Sequence, residues 1–513
     1  MEDERSLALH TIVSANLAML LWHAAQAHPE RPAVLTRAAE TTYGALRNRA
    51  TAVAGALRAA QQAPGDRVGL LLERSPDAIA ALFGIYAAGL VGVVIEPRLR
   101  PRQIEYQLSH SGARILLTSA ATLERLPRKL GTDAVILDLG QIPAEGQGEP
   151  LRRDATDFAQ IIYTSGSTGL PKGVVFTHGA LQTGAATVNG YLGQRPDDRI
   201  ASLLALSTVY GLNQILTAVL CGAATVIETS PLSAELVATL RARSATVLAA
   251  VPPLWLQLLS VGGFDGASLP SLRVLQNAGG HLPVETVRRI RAVFPNAQLF
   301  LQYGQTETFR GTFLPPTEVD RRPESMGHAV PGAHLFVLLD DGTPAPNGEI
   351  GELVHTGSTI AAGYWNDPDA TSRAFRPHPD PARAARGERA VFSGDLVRRD
   401  AEGLFTFVSR RDRLIKTMGF RVGPDEIADV MHATGETHEV VVTSEPDPER
   451  GERIVAYVVL RDGGDTQRLM KLCRAELPAY MVPARIEAVA RLPRLPSGKY
   501  DLLALKGGRG QER

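Results

Sequence analysis

Thr164 to Gly169 reads Thr-Ser-Gly-Ser-Thr-Gly, and Lys172 follows three positions later. Small apolar residues, Ile161 and Ile162, run into this loop, and Val174 to Phe176 run out of it. Glycines let backbone N–H groups close around phosphate oxygens, hydroxyls add donors, and one lysine supplies compensating charge. The stretch is not a Walker A loop, because Lys172 lies six residues after Gly166 and is followed by Gly173 rather than Ser or Thr. Taken alone, such a loop also reads as a surface turn rich in Gly and Ser.

The rest of the chain must hold that loop in place. At 513 residues it is too long for one compact core, so two or more domains are expected. Lys+Arg and Asp+Glu both total 54, which gives no argument for a nucleic-acid partner. Cys221 and Cys473 are the only cysteines, which argues against a disulfide framework and fits a reducing cytoplasm. The acidic opening, Glu2-Asp3-Glu4, is wrong for a signal peptide. The apolar patch from Ile12 to Leu21 is interrupted by Asn16 and too short to span a bilayer, and it reads as an amphipathic surface helix.

From about Ala223 to Gln305 apolar strands alternate with helical segments. Strand-like runs are Ala224–Ile227, Thr246–Val251, Arg273–Gln276 and Gln298–Gln302; helix-like runs are Ala234–Arg243, Leu254–Ser260 and Val284–Phe294. That order argues for parallel βαβ units. After about Ala333, short strands separated by turns such as Asp341-Gly342 and Pro346-Asn347-Gly348 read as a more antiparallel region. Residues 376–389, rich in Pro, Arg and Ala without periodicity, read as an exposed loop. From Leu414 a smaller α+β pattern begins, with helices near Asp425–Met431 and Thr466–Leu477 and strands at Glu439–Thr443 and Ile454–Leu460.

Further motifs lie in order along the chain. They are Thr42-Tyr43-Gly44-Ala45-Leu46, Ala87-Ala88-Gly89, the loop itself, Tyr303-Gly304-Gln305-Thr306-Glu307, Gly351-Glu352-Leu353 and Gly363-Tyr364-Trp365. Then come Ser393-Gly394-Asp395, Arg410-x-Asp412-x-x-Ile415-Lys416-x-x-Gly419, Leu477-Pro478-x-Tyr480-Met481-Val482-Pro483 and Pro496-Ser497-Gly498-Lys499. The series resembles the adenylate-forming superfamily: acyl-CoA synthetases, adenylation domains of peptide synthetases and luciferases. Its layout, with Phe309-Arg310 after Glu307, looks most like a bacterial AMP-forming acyl-CoA ligase. The implied fold is α/β: a large N-terminal domain of βαβ layers plus a β-rich subdomain (1–411), and a small mobile α+β C-terminal domain (412–513).

The resemblance implies ATP-dependent activation of a carboxylic acid to an acyl-adenylate, then transfer to a thiol. By it, Thr164, Ser165, Gly166, Ser167, Thr168 and Lys172 clamp the β- and γ-phosphates, and Glu307 with Thr168 holds Mg²⁺. Thr306 touches the α-phosphate, Tyr303 stacks on adenine, and Gly279 and Gly280 pass between adenine and acyl pocket. Asp395 and Arg410 meet the ribose, although Ser409-Arg410 stands where the family usually has Gly-Arg. Asp412 is the implied hinge, Lys499 the catalytic lysine, Lys416 an implied cofactor contact, and the Gly419 segment the lining of the thiol tunnel.

For the acid, Ser202 to Asn213 offers no carboxylate to pair with an α-ammonium. An amino acid bound in the family's standard way is therefore disfavoured. Tyr210, Gly211, Gly280 and Gln305 are the implied substrate contacts, and Tyr210 also reads as packed core. Fourteen residues follow Lys499, so the acceptor is expected to be CoA or the phosphopantetheine of a separate carrier protein. The alternative is a stand-alone adenylation enzyme that loads an acyl or amino acid onto such a carrier or onto an amine.

Overall fold

The structure, a computed structural model, describes residues 16–126, 129–164, 170–411, 414–417, 420–447, 451–495 and 500–506. Three sheets organise them. The first runs Gly363–Tyr364, Lys172–Thr177, Phe158–Thr164, Val91–Ile95, Arg67–Leu71, Ile115–Thr118, Val135–Asp138. Its last five strands are parallel, whereas Phe158–Thr164 and Lys172–Thr177 form an antiparallel pair in which Thr164 faces Lys172. The phosphate-loop motif is thus the connection of a hairpin; Ser165 to Gly169 lie outside the described residues.

The second sheet has a parallel centre, Pro32–Leu35, Ala224–Ile227, Arg199–Ser202, Val247–Ala250, Val274–Asn277 and Gln298–Tyr303. It continues into antiparallel strands Thr312–Leu314, Ser325–Ala329, Phe405–Arg410, Arg389–Arg399, Ile350–Gly357 and Ala333–Leu338. The expected βαβ alternation between Ala223 and Gln305 is present, with helices Ser233–Ala242, Pro252–Leu259 and Val284–Val293 between the strands.

Helices in the large core carry local start and stop signals. Thr177 and Thr208 cap His178–Leu192 and Val209–Cys221 through their hydroxyls, and left-handed Gly193 and Gly222 end them. Pro76–Ala87 starts from a Ser75 cap and is buried along Ala78 to Ala87, as an all-apolar helix must be. Phe83 and Tyr86 are fully buried there; side chains of this kind each contribute about 1.5–3 kcal/mol by leaving water.

Two expectations need correction. The described part of the 12–21 patch is not a surface helix. Leu17, Ala18 and Leu21 are wholly buried, and the helix starts at Met19. The Asn16 side chain fixes this entry by donating to the carbonyls of Tyr86 (2.6 Å) and Leu151 (2.9 Å). Asn16, which looked like an interruption, is a buried anchor. Residues 376–389 are not a plain loop either. Phe375–Pro377 pairs with Arg389–Arg399, and Pro381–Ala384 is a short helix capped by Asp380. Strand pairing supplies order that composition alone does not show.

The third sheet belongs to the C-terminal part: Phe420–Val422, Ile415–Thr417, Gly451–Leu460 and Thr437–Asp447, with Arg485–Ala488 parallel to Gly451–Leu460. Helices Pro424–Ala433 and Thr466–Glu476 cover it, and Ile427, Met431, Val442, Ile454, Leu469 and Cys473 lie in its own core. Among the described residues no helix is long and apolar enough to cross a membrane, and both cysteines are free.

Candidate functional site

The C-terminal ends of the parallel strands of the second sheet open into a continuous cleft of about 2960 Å³. Ligands of open α/β sheets sit at such strand ends. Gln298–Tyr303 delivers Tyr303 there, and the short 3₁₀ turn Thr306–Thr308 follows, presenting Thr306 and Glu307. Opposite, Arg389–Arg399 delivers Asp395 and Phe405–Arg410 delivers Arg410, cross-strand neighbours in register.

Asp395 is the hub. It is 3 % exposed; its Oδ2 accepts from the Tyr303 hydroxyl and from Gln305 Nε2 (2.7 Å), and Arg410 lies 3.4 Å from Oδ1. Burial, reinforced by the Asp395 charge, holds the Tyr303 phenol well above its ordinary pKa, so it stays a donor. Gln305 lines the cleft, but its amide donates to Ser393 O (2.9 Å) and to Asp395, so it braces the hub rather than standing free for an acid.

Glu307 faces the first sheet. Its Oε1 accepts from the Tyr364 hydroxyl at 2.7 Å, and Lys172 Nζ lies 5.2 Å from the Tyr364 ring centroid. Burial and the Glu307 charge both raise the Tyr364 phenol above its usual range. Among the described residues no hydrogen bond occupies Glu307 Oε2, and no group of three His, Cys, Asp or Glu could hold a metal ion. One carboxylate is what a Mg²⁺ ion needs when phosphates and water complete its shell, so Glu307 fits that ion.

On the acyl side, Gly279 and Gly280 line the cleft after Val274–Asn277; Gly279 has φ +83°, which a Cβ would strain. Tyr210 is 9 % exposed and its hydroxyl donates to Gln276 O (3.2 Å). It therefore offers its ring rather than a free hydroxyl. Gly211 does not line the cleft, because it sits inside the helix turn, with its N–H capped by Thr208 Oγ1. A carboxylate does reach the Ser202–Asn213 segment from elsewhere. Ser207 Oγ donates to Glu96 Oε2 (3.3 Å), but Glu96 is already paired with Arg98 at 2.6 Å.

The structure therefore brings together Thr164, Lys172, Tyr210, Gly279, Gly280, Tyr303, Gln305, Thr306, Glu307, Asp395 and Arg410. Asp412, Gly419 and Lys499 lie outside the described residues; Lys416 is placed on the strand Ile415–Thr417. Tyr364 and Arg310 each lie in a motif of the sequence, Gly363-Tyr364-Trp365 and Phe309-Arg310, but neither carries an expected site role there; the folded contacts supply it.

Residues 21–365 match the model of the AMP-binding enzyme family, and residues 426–499 match that of the AMP-binding enzyme C-terminal domain. The chain belongs to the AMP-binding enzyme family. Within it, the chain is 32% identical over 507 residues to a sulfoacetate–CoA ligase of Cupriavidus necator, covering 95% of this chain and 97% of that one. It is 31% identical over 485 residues to a linear gramicidin synthase of Brevibacillus parabrevis, matching 93% of this chain but spanning 6% of that protein's length. An ATP-bound MatB from Rhodopseudomonas palustris superposes with a TM-score of 0.86 at 26% identity, over 97% of this chain and 99% of that one. This AMP-binding enzyme thus shares its α/β architecture, large sheet domain and smaller C-terminal unit with solved relatives.

Proposed function

We propose that this enzyme is an AMP-forming acid–CoA ligase. A carboxylate oxygen of the acid attacks the α-phosphorus of ATP, the bond to pyrophosphate breaks, and an acyl-adenylate forms. The CoA sulfur then attacks the acyl carbonyl as its proton leaves, and AMP departs. The observation that carries the reading is the Asp395 hub, with Tyr303, Gln305 and Arg410, beside Glu307 at one cleft. The acceptor is supported by the C. necator relative, which is named a CoA ligase and is matched along nearly its full length.

In this reading Asp395 accepts the ribose hydroxyls and Tyr303 flanks the adenine. Lys172 and the Thr164–Thr168 hydroxyls take the outer phosphates. Glu307, with Thr168, would hold Mg²⁺, which neutralises phosphate charge. Thr306 orients the α-phosphate, and Lys499 meets charge that builds in the transition state. The chain divides at 411/412, and residues 412–513 turn about Asp412, so that Lys499 serves the first half-reaction and Lys416 to Gly419 the second. The separate sheet and core of the C-terminal part support that division. A cytoplasmic location belongs to the same reading and agrees with two unlinked cysteines.

ATP–pyrophosphate exchange across a panel of aliphatic, aryl and amino acids tests the first half-reaction. Thioester formation with CoA, set against a phosphopantetheinyl carrier protein, tests the second. Exchange with no acid at all would overturn the reading, and thioester on the carrier but not on CoA would replace its acceptor.

A further inference from the structure

Arg310 is 3 % exposed and faces the cleft, yet it forms no ion pair with any described carboxylate. Its Nε and Nη2 are buried without a hydrogen-bond partner. The guanidinium carbon lies 4.8 Å from the centroid of the Tyr210 ring, a cation–π contact that offsets only part of the desolvation of a full charge. Beside it lies the Tyr191 hydroxyl, also buried. Burial pushes that phenol up to about 12 against the charge of Arg310 and a side-chain hydrogen bond with it, so it stays protonated. A buried cation without a carboxylate partner among the described residues therefore faces the cleft, with a phenol packed behind it.

The backbone is strained to put Arg310 there. Phe309 has φ +60° and ψ −63°, and the Arg310 N–H donates to Thr308 O at 2.7 Å, closing a three-residue turn that non-glycine residues rarely adopt. Packing holds the strain in place. The Phe309 ring sits edge-on to Phe176 (centroids 6.2 Å) and over Gly184, where a Cβ would stand 2.5 Å from it. Strain that the surrounding packing over-determines clusters at functional sites.

We infer that Arg310 is the counter-charge for a second anionic group on the substrate, so that the acid activated is a dicarboxylate or a sulfocarboxylate. One carboxylate is presented to ATP beside Glu307, and the other anion pairs with Arg310. The inference rests on the acid-activation reading above and adds the substrate class to it.

The test is pyrophosphate exchange by the wild-type enzyme on skeleton-matched acids: propanoate with malonate and 3-sulfopropanoate, butanoate with succinate, and 3-methylbenzoate with isophthalate. The dianionic member of at least one set should have the higher kcat/KM, by about 100-fold, because desolvating a buried cation without its partner anion is costly. The carboxylate and sulfonate arms tell which anion fits. In Arg310→Met that advantage should disappear, chiefly through KM, and Arg310→Lys should restore part of it. A wild-type preference for the singly charged acids would overturn the inference, as would an equal loss for both kinds in Arg310→Met. The wild-type comparison decides even if the variants fail to fold. Exchange with no acid would instead remove the underlying acid-activation reading, and the inference with it.

Discussion

The Tyr364 hydroxyl donates to Glu307 Oε1 across 2.7 Å, joining a residue of one sheet to a turn of the other. The same ring lies beneath Lys172. Tyr364 thereby sets the distance between the phosphate-loop hairpin and the carboxylate assigned to Mg²⁺, and it fixes which carboxylate oxygen remains open.

Tyr364→Phe keeps the ring and removes the donor. We expect the Mg²⁺ and ATP concentrations needed for half-maximal exchange to rise by roughly tenfold, as loss of a charge-assisted hydrogen bond implies. Thermal stability should change little. Titrating Mg²⁺ at fixed ATP, beside a melting curve, checks this; unchanged Mg²⁺ dependence would show that Tyr364 does not position Glu307.

The two half-reactions should separate by mutation. Lys499→Ala should lower adenylate formation by on the order of 10²–10³, the usual effect of removing one charge-stabilising group. Thiolysis of added acyl-adenylate should survive. Asp412→Pro removes backbone freedom that a hinge requires, so it should do the reverse, as should Gly419→Leu. Exchange assays paired with thioester assays score each variant, and parallel loss of both activities in either class contradicts the rotation.

Substrate charge gives a third expectation. The Ser202–Asn213 segment has no acid of its own, Glu96 is engaged by Arg98, and Arg310 places a fixed positive charge on the same side. An α-ammonium bound there is both unpaired and repelled. Acids lacking it should drive exchange at least about tenfold better than amino acids of equal skeleton, for instance butanoate over 2-aminobutanoate. Consistent preference for the amino acids would favour the stand-alone amino-acid adenylation reading.

A fourth expectation concerns pH. His281 Nε2 lies 2.9 Å from Asp429 Oδ1, linking the segment after Gly280 to the helix Pro424–Ala433. Burial works against protonation of His281, but the hydrogen bond and charge of Asp429, with Asp425 behind it, raise its pKa above 6.5. Nearby His432 is pushed down to about 4, chiefly by burial, and stays neutral. Because the contact raises the His281 pKa, its contribution is complete below about 6.5 and fades as pH climbs through the raised value. Hydrogen exchange along Pro424–Ala433, corrected for intrinsic rates, should show less protection at high pH. The difference should vanish in His281→Ala; its persistence there would assign the effect to another group.

Much of this architecture was legible because local signals agreed with the global pattern. The strand Ala224–Ile227 and the helix starting at Val284 follow from periodicity. The motif residues Tyr303, Glu307 and Asp395 converge because Tyr303 ends its strand, Glu307 sits in the 3₁₀ turn that follows, and Asp395 lies across the cleft on Arg389–Arg399. What was not legible depended on partners distant in sequence. The parallel strands Arg67–Leu71, Val91–Ile95 and Ile115–Thr118 are short apolar runs whose pairing only the folded sheet decides. Asn16 became an anchor through Tyr86 and Leu151, 70 and 135 positions away. The commitment of Gln305 to Asp395 and the lack of a described carboxylate beside Arg310 are relations, not residue types, and no spacing rule encodes them.

The turn at Phe309 couples two properties that an engineer would wish to vary separately. Glu307 and Arg310 stand on one stiff peptide segment, so any backbone relaxation admitted at position 310 is transmitted to the carboxylate three residues earlier. Retargeting the enzyme to new acids should therefore advance faster through Tyr210 and Tyr191, whose side chains reach the same corner from separate helices. Selection for altered acid preference should accumulate changes there before it touches the turn.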